Sequence, residues 1–220
     1  MHLLQPQTEV NISSLVSTLP TSDSDTSLQQ VQLSPWVNLS PEPQQVDWLI
    51  LHFNHWFSHL NVLLVRGDFE PEYFPATPET PARIQFAHGF FNSALHEISH
   101  WTIAGPKRRL QADLGYWYAP DGRTEAQQAL FEQVEIKPQA IEWLFAQAFG
   151  RKFRVSLDNL TGESSNGQHF KDHVFKQVND YFSGTARLPR DAQQFIRYIC
   201  HCTRHGKMLQ ADEFQREALD

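Results

Sequence analysis

The chain has 220 residues, with 18 Lys and Arg against 25 Asp and Glu and a net charge of −7. That length suffices for one well-buried domain, and the charge balance disfavours a phosphate-binding surface, so direct nucleic-acid binding is not expected. Cys200 and Cys202 are separated by a single residue, too close for a useful structural disulfide, and no apolar run approaches the roughly 18 residues of a membrane span.

Residues 1–45 are rich in Ser, Thr, Gln and Pro and carry no Lys or Arg. They predict a disordered or weakly ordered polar tail without the basic region and apolar core of a signal peptide, so a cytoplasmic protein with no membrane partner is expected. Within it, Ile12, Leu15, Val16 and Leu19 share one face of a short docking helix over Val10–Leu19. Residues 46–220 are expected to form a single domain. A helix is predicted over Val46–Leu60, with His52, His55 and His59 as its wet face. A strand over Asn61–Arg66 ends at Gly67-Asp68, and a Pro-rich connection from Pro71 to Pro81 leads to a second strand, Arg83–Ala87. A helix through residues 91–101 follows, closed by Gly105-Pro106. Beyond it, Pro120-Asp121-Gly122 is a turn after the aromatic run Tyr116-Trp117-Tyr118. A long helix over Thr124–Gly150 is predicted to kink or restart at Pro138, because proline has no N–H for the Val134 carbonyl. A mobile loop over Leu160–Gly167 precedes helices over His169–Ser183 and Arg190–His205, the last with Phe195, Ile199 and Cys202 as a core stripe. The expected fold class is α+β, a small β-sheet packed with several helices.

The chemistry is concentrated in His96-Glu97-Ile98-Ser99-His100, an HExxH. Positions i and i+4 of a helix lie one turn apart on one face, so His96 and His100 can direct ring nitrogens at one metal ion, with Glu97 beside them as a catalytic carboxylate. A third protein ligand is needed. Glu135, set between the apolar Val134 and Ile136, is the leading candidate, because a carboxylate in a dry interior needs a cation. Glu132, one turn earlier, is in reserve, and Asp113 is the other contender.

The blocks Arg83–Phe90, His96–Trp101, Asp113–Arg123 and Val134–Ala140, in this order and spacing, resemble the bacterial elongation factor P hydroxylases from about Val46 to near the C-terminus. The long N-terminal segment is a departure from that family. The resemblance implies an oxidoreductase: a non-haem hydroxylase, or monooxygenase, that acts on the lysine of elongation factor P already carrying a β-lysyl group. It implies a two-histidine, one-carboxylate site with His96 and His100 as ligands, and position matches the carboxylate to Glu135.

The ligand set does not choose the metal. Fe(II) would leave open positions for dioxygen and substrate; zinc would suit a hydrolase, peptidase or nuclease-like, with Glu97 as general base. The resemblance favours iron, with dioxygen as co-substrate; Glu97 would then orient a ligand, tune the site or move a proton. A β-lysylated lysine is long and cationic, so its pocket should offer aromatic faces and carboxylates. Tyr116, Trp117, Tyr118, Asp113 and Asp121 are the candidates. His88, between the second strand and the metal helix, reads either as a hydrogen-bond donor supporting the site or as a satisfied buried histidine.

Overall fold

The computed structural model describes residues 35–36, 39–115, 124–156 and 165–220. Among these lie five α-helices and three strands, an α+β fold. The helices are α1 (Glu42–Trp56), α2 (Phe91–Ile103), α3 (Glu125–Ala148), α4 (Ser165–Ser183) and α5 (Arg190–Thr203). The strands are β1 (Val62–Arg66), β2 (Glu72–Phe74) and β3 (Ala82–Phe86). The Val10–Leu19 helix, the run Tyr116-Trp117-Tyr118, Asp121 and the loop up to Ser164 fall outside the described residues, while Ser165 to Gly167 form the first turn of α4 rather than loop.

Helix α1 begins at Glu42, so a boundary at residue 45 falls inside it. Trp36 and Leu39 are already buried in the common core, with Trp36 Nε1 donating to the Phe149 carbonyl at 3.0 Å. Polar composition hid this start. Glu42, Gln44 and Gln45 give the first turn a polar surface, and Glu42 has a task of its own, accepting the N–H of Phe91 at 3.0 Å.

The three histidines of the predicted Val46–Leu60 helix do not share one environment, and His59 lies beyond the end of α1 at Trp56. His55 and His59 are exposed, whereas His52 stacks on Trp48 at 3.6 Å and contacts the Tyr198 hydroxyl through Nδ1 at 2.5 Å. Burial, aided by His55, lowers its pKa from 6.5 to about 4. As pH falls, the unfolded chain therefore takes up this proton first, and stability is lost between about 6.5 and 4. His52→Gln is expected to flatten that limb, recovering about 2 kcal/mol of the loss between pH 7 and 4.5. Urea midpoints at the two pH values check this; parallel losses in both proteins would contradict it.

Strand β1 pairs in parallel with β3, and β2 pairs antiparallel with β3 on its other side, giving the order β1-β3-β2. Burial alternates along β3, with Ala82, Ile84 and Phe86 inward, as a half-buried strand requires. The free edge of β1 is closed by Asn54, whose side chain accepts the Leu64 N–H at 2.6 Å and donates to the Leu64 carbonyl at 3.2 Å. Strand β2 lies within what reads as a Pro-rich connection; Pro71 and Pro75 bracket it and conceal its three residues.

Helix α3 starts with a capping box between Thr124 and Gln127 and continues unbroken through Pro138. Of the expected kink or restart, the restart does not occur: the residues just beyond the proline, Gln139, Ala140 and Ile141, are buried and hold the helix by tertiary packing. On α5, Phe195, Ile199 and Cys200 are fully buried, while Cys202 is only half-buried at the edge of the stripe.

Candidate metal centre

Strand β3 runs into α2 through a tight turn at Ala87–Gly89. His88 and Gly89 both take left-handed φ there, 51° and 69°, a region open to glycine and costly for most other residues. This turn leaves His88 exposed, its ring 5.9 Å from that of Phe90. His88 is therefore not a buried histidine.

Helix α2 buries Phe91, Ala94, Leu95, Ile98 and Trp101 in the core. With those positions inward, the flank bearing His96, Glu97 and His100 meets α3. Both ends of α2 are tied. At the N-terminus the Glu42 carboxylate holds the first N–H, and Arg151, bonded to Gln45, lies over the Phe91 ring. At the C-terminus Arg109 donates to the Trp101 carbonyl at 3.0 and 3.2 Å. An anion at the start and a cation at the end both suit the helix dipole.

The ligand atoms of His96, His100 and Glu135 converge, all within 4.8 Å of one another. His100 Nε2 lies 3.1 Å from His96 Nε2 and 3.3 Å from Glu135 Oε1, and His96 Nε2 lies 3.6 Å from Glu135 Oε2. Donors bound at about 2.1 Å with inter-ligand angles of about 90–110° stand about 3.0–3.5 Å apart; two of these spacings fall in that range and the third, to the other Glu135 oxygen, is slightly wider, so the cluster is close to what a single ion needs. The surroundings fit as well. Glu135 is 3 % exposed and Glu142 7 %, and two buried carboxylates against two imidazoles call for positive charge.

Electrostatics in the cluster are mutual. Burial pulls His96 down, but hydrogen bonding and attraction from Glu142, with Glu135 and Glu97, outweigh it and raise its pKa to about 10. Burial pushes Glu135 up, yet His100, His96 and a hydrogen bond from Gln139 bring it below the usual carboxylate value. Gln139 is itself fixed by a two-way bond with the Ser156 backbone. Glu97 differs: burial raises its carboxyl pKa, and Glu135 and Glu142 add to the rise against the two histidines. It therefore holds a proton to higher pH than a surface glutamate.

The other sequence candidates sit elsewhere. Glu132 is half-buried a turn before Glu135 and is not one of the three converging groups. Asp113 is exposed, in a left-handed turn, and its Oδ1 accepts the N–H of Tyr73 at 3.1 Å. It ties down the edge strand β2 and does not join the histidines. One group escaped the sequence reading. Glu142 Oε2 lies 2.8 Å from His96 Nδ1. Its signal was the same as that of Glu135, a carboxylate between the apolar residues Ile141 and Trp143.

The elongation factor P hydroxylase family matches residues 51–214, a span containing every residue of this cluster. The chain belongs to that family. It is also 50 % identical over 151 residues to the elongation factor P lysine hydroxylase of Haemophilus influenzae, covering 68 % of this chain and 84 % of that protein. Family and relative are both named for hydroxylation, so the zinc-hydrolase alternative finds no support.

Proposed function

We propose that this protein hydroxylates the β-lysyl-modified lysine of translation elongation factor P at a metal held by His96, His100 and Glu135. The observation that carries the reading is the convergence of these three donors, from two helices, in a member of a hydroxylase family. Ferrous iron bound there would supply the activation of dioxygen that hydroxylation requires.

The protein's own groups have separable tasks. His96 and His100 present their Nε2 atoms to one point because they lie one turn apart on α2, and Glu135 closes the set from α3. Glu97, next to His96 on the same helix, is placed to give or take a proton beside that point, and burial raises its carboxyl pKa. The cationic side chain of the substrate suits aromatic faces and carboxylates, and we assign its recognition to Tyr116, Trp117, Tyr118 and Asp121, with Asp113 at the margin. Acting on a translation factor, the protein is assigned by us to the cytoplasm; among the described residues no helix is long and apolar enough to cross a membrane.

The test is the intact mass of β-lysylated elongation factor P after incubation with the protein, Fe(II), a reductant and air. One added oxygen is expected, absent with His96→Ala. An unchanged mass across several reductants and metals would overturn the proposal.

A further inference from the structure

Glu142 follows Glu135 by two turns of α3 and so lies on the same face. It is buried and flanked by the buried apolar residues Ile141 and Trp143. Its Oε2 meets Nδ1 of His96 at 2.8 Å. Packing gives no reason for a carboxylate here, since burying one costs stability that an apolar or amide side chain would not.

An ionised carboxylate only accepts hydrogen bonds, so the hydrogen between these groups belongs to His96 Nδ1. A ring that binds a metal ion has given up its other proton, so with Nδ1–H held by Glu142 the lone pair is on Nε2. That nitrogen faces His100 Nε2 at 3.1 Å and Glu135 Oε2 at 3.6 Å. The two ring nitrogens point away from each other, so an ion on Nε2 is out of reach of Glu142. We propose that Glu142 is a positioning residue of the metal centre: by accepting from Nδ1 it fixes the tautomer and rotation of His96 and aims Nε2 at the ion. His96 is the ligand that needs this most, because its side chain is 26 % exposed against 11 % for His100, so packing restrains it less. The inference rests on His96, His100 and Glu135 being the ligand set.

Reach and charge can be separated by substitution. Glu142→Gln keeps a carbonyl acceptor at the same length, so it should still hold Nδ1–H. Glu142→Asp keeps the charge but shortens the side chain by one carbon and loses contact. Glu142→Ala loses both. Cobalt(II) titration of the metal-free proteins, followed by absorbance, reads affinity; nitrogen NMR of the zinc-loaded proteins reads the His96 Nδ1–H. Affinity is expected to fall about 10–100-fold in Glu142→Ala and Glu142→Asp, with the Nδ1–H signal lost. Glu142→Gln should stay within about tenfold of the native protein and retain the signal. Equal affinities in Glu142→Asp and Glu142→Gln, with Nδ1–H kept in both, would overturn the proposal, even if Glu142→Ala fails to fold. Cobalt uptake that survives Glu135→Ala and His100→Ala would instead overturn the ligand set itself.

Discussion

His100→Ala is expected to remove metal uptake and oxygen transfer together while leaving a folded protein. His100 is the middle of the cluster, its Nε2 3.1 Å from His96 Nε2 and 3.3 Å from Glu135 Oε1. Truncation leaves two donors, one on each helix, with no third to close the triangle. Loss of an outer partner of a metal ligand already costs about 10–100-fold; loss of the ligand itself should exceed 100-fold in hydroxylation rate. The backbone is not at risk, because α2 is held by its apolar face and its two tied ends rather than by this ring. Two measurements separate the effects. Elemental analysis should find metal in the native protein and none in the variant. Added metal at a hundredfold excess over its Kd should stabilise the native protein by about 2.7 kcal/mol and the variant not at all. A variant that still took up metal and turned over would exclude His100 as a ligand.

Arg109→Ala should produce a large loss of stability for a single polar side chain. Its guanidinium carbon lies 3.7 Å from the centre of the Trp101 ring, its nitrogens reach the Trp101 carbonyl, and Nη2 meets Asp191 Oδ2 at 2.5 Å. Its own carbonyl accepts the Tyr73 hydroxyl at 2.9 Å. The side chain thus joins the end of α2 to the start of α5, while the backbone carbonyl, which alanine keeps, holds Tyr73 of β2. Arg109 and Asp191 are only 17 % and 20 % exposed, so alanine strands a carboxylate in partly dry surroundings. Together with the lost cation–π contact and helix-end charge, this amounts to about 3 kcal/mol. In a domain of this size it corresponds to roughly 6–12 °C in Tm. Arg109→Lys should recover only part, since an ammonium neither stacks flat on the indole nor reaches both acceptors. Because Trp101 follows His100 directly, the variant should also bind metal more weakly. A shift below about 2 °C in thermal denaturation would show that α2 is anchored elsewhere.

Much of this organisation was legible along the chain. The HExxH, the Glu135 position and the helical segments follow from spacing, because a helix converts sequence separation into a face without help from the rest of the molecule. Other elements were hidden by composition. Trp36 and Leu39 stand in a polar stretch yet are buried, and β2 is bracketed by prolines. That left-handed turns leave His88 and Asp113 exposed, with Asp113 bound to the Tyr73 N–H, was likewise not legible from residue type.

By itself the sequence determined the α+β class, the two histidines of one helix turn, a third candidate ligand and the family resemblance, all of which depend on local periodicity or the order of motifs. Only the tertiary structure shows that Glu135, and neither Glu132 nor Asp113, converges on the two histidines, and only it brought Glu142 to His96. Those choices depend on how closely and at what rotation α2 packs on α3. Side chains buried on both helices set that packing, and no spacing within either helix encodes it.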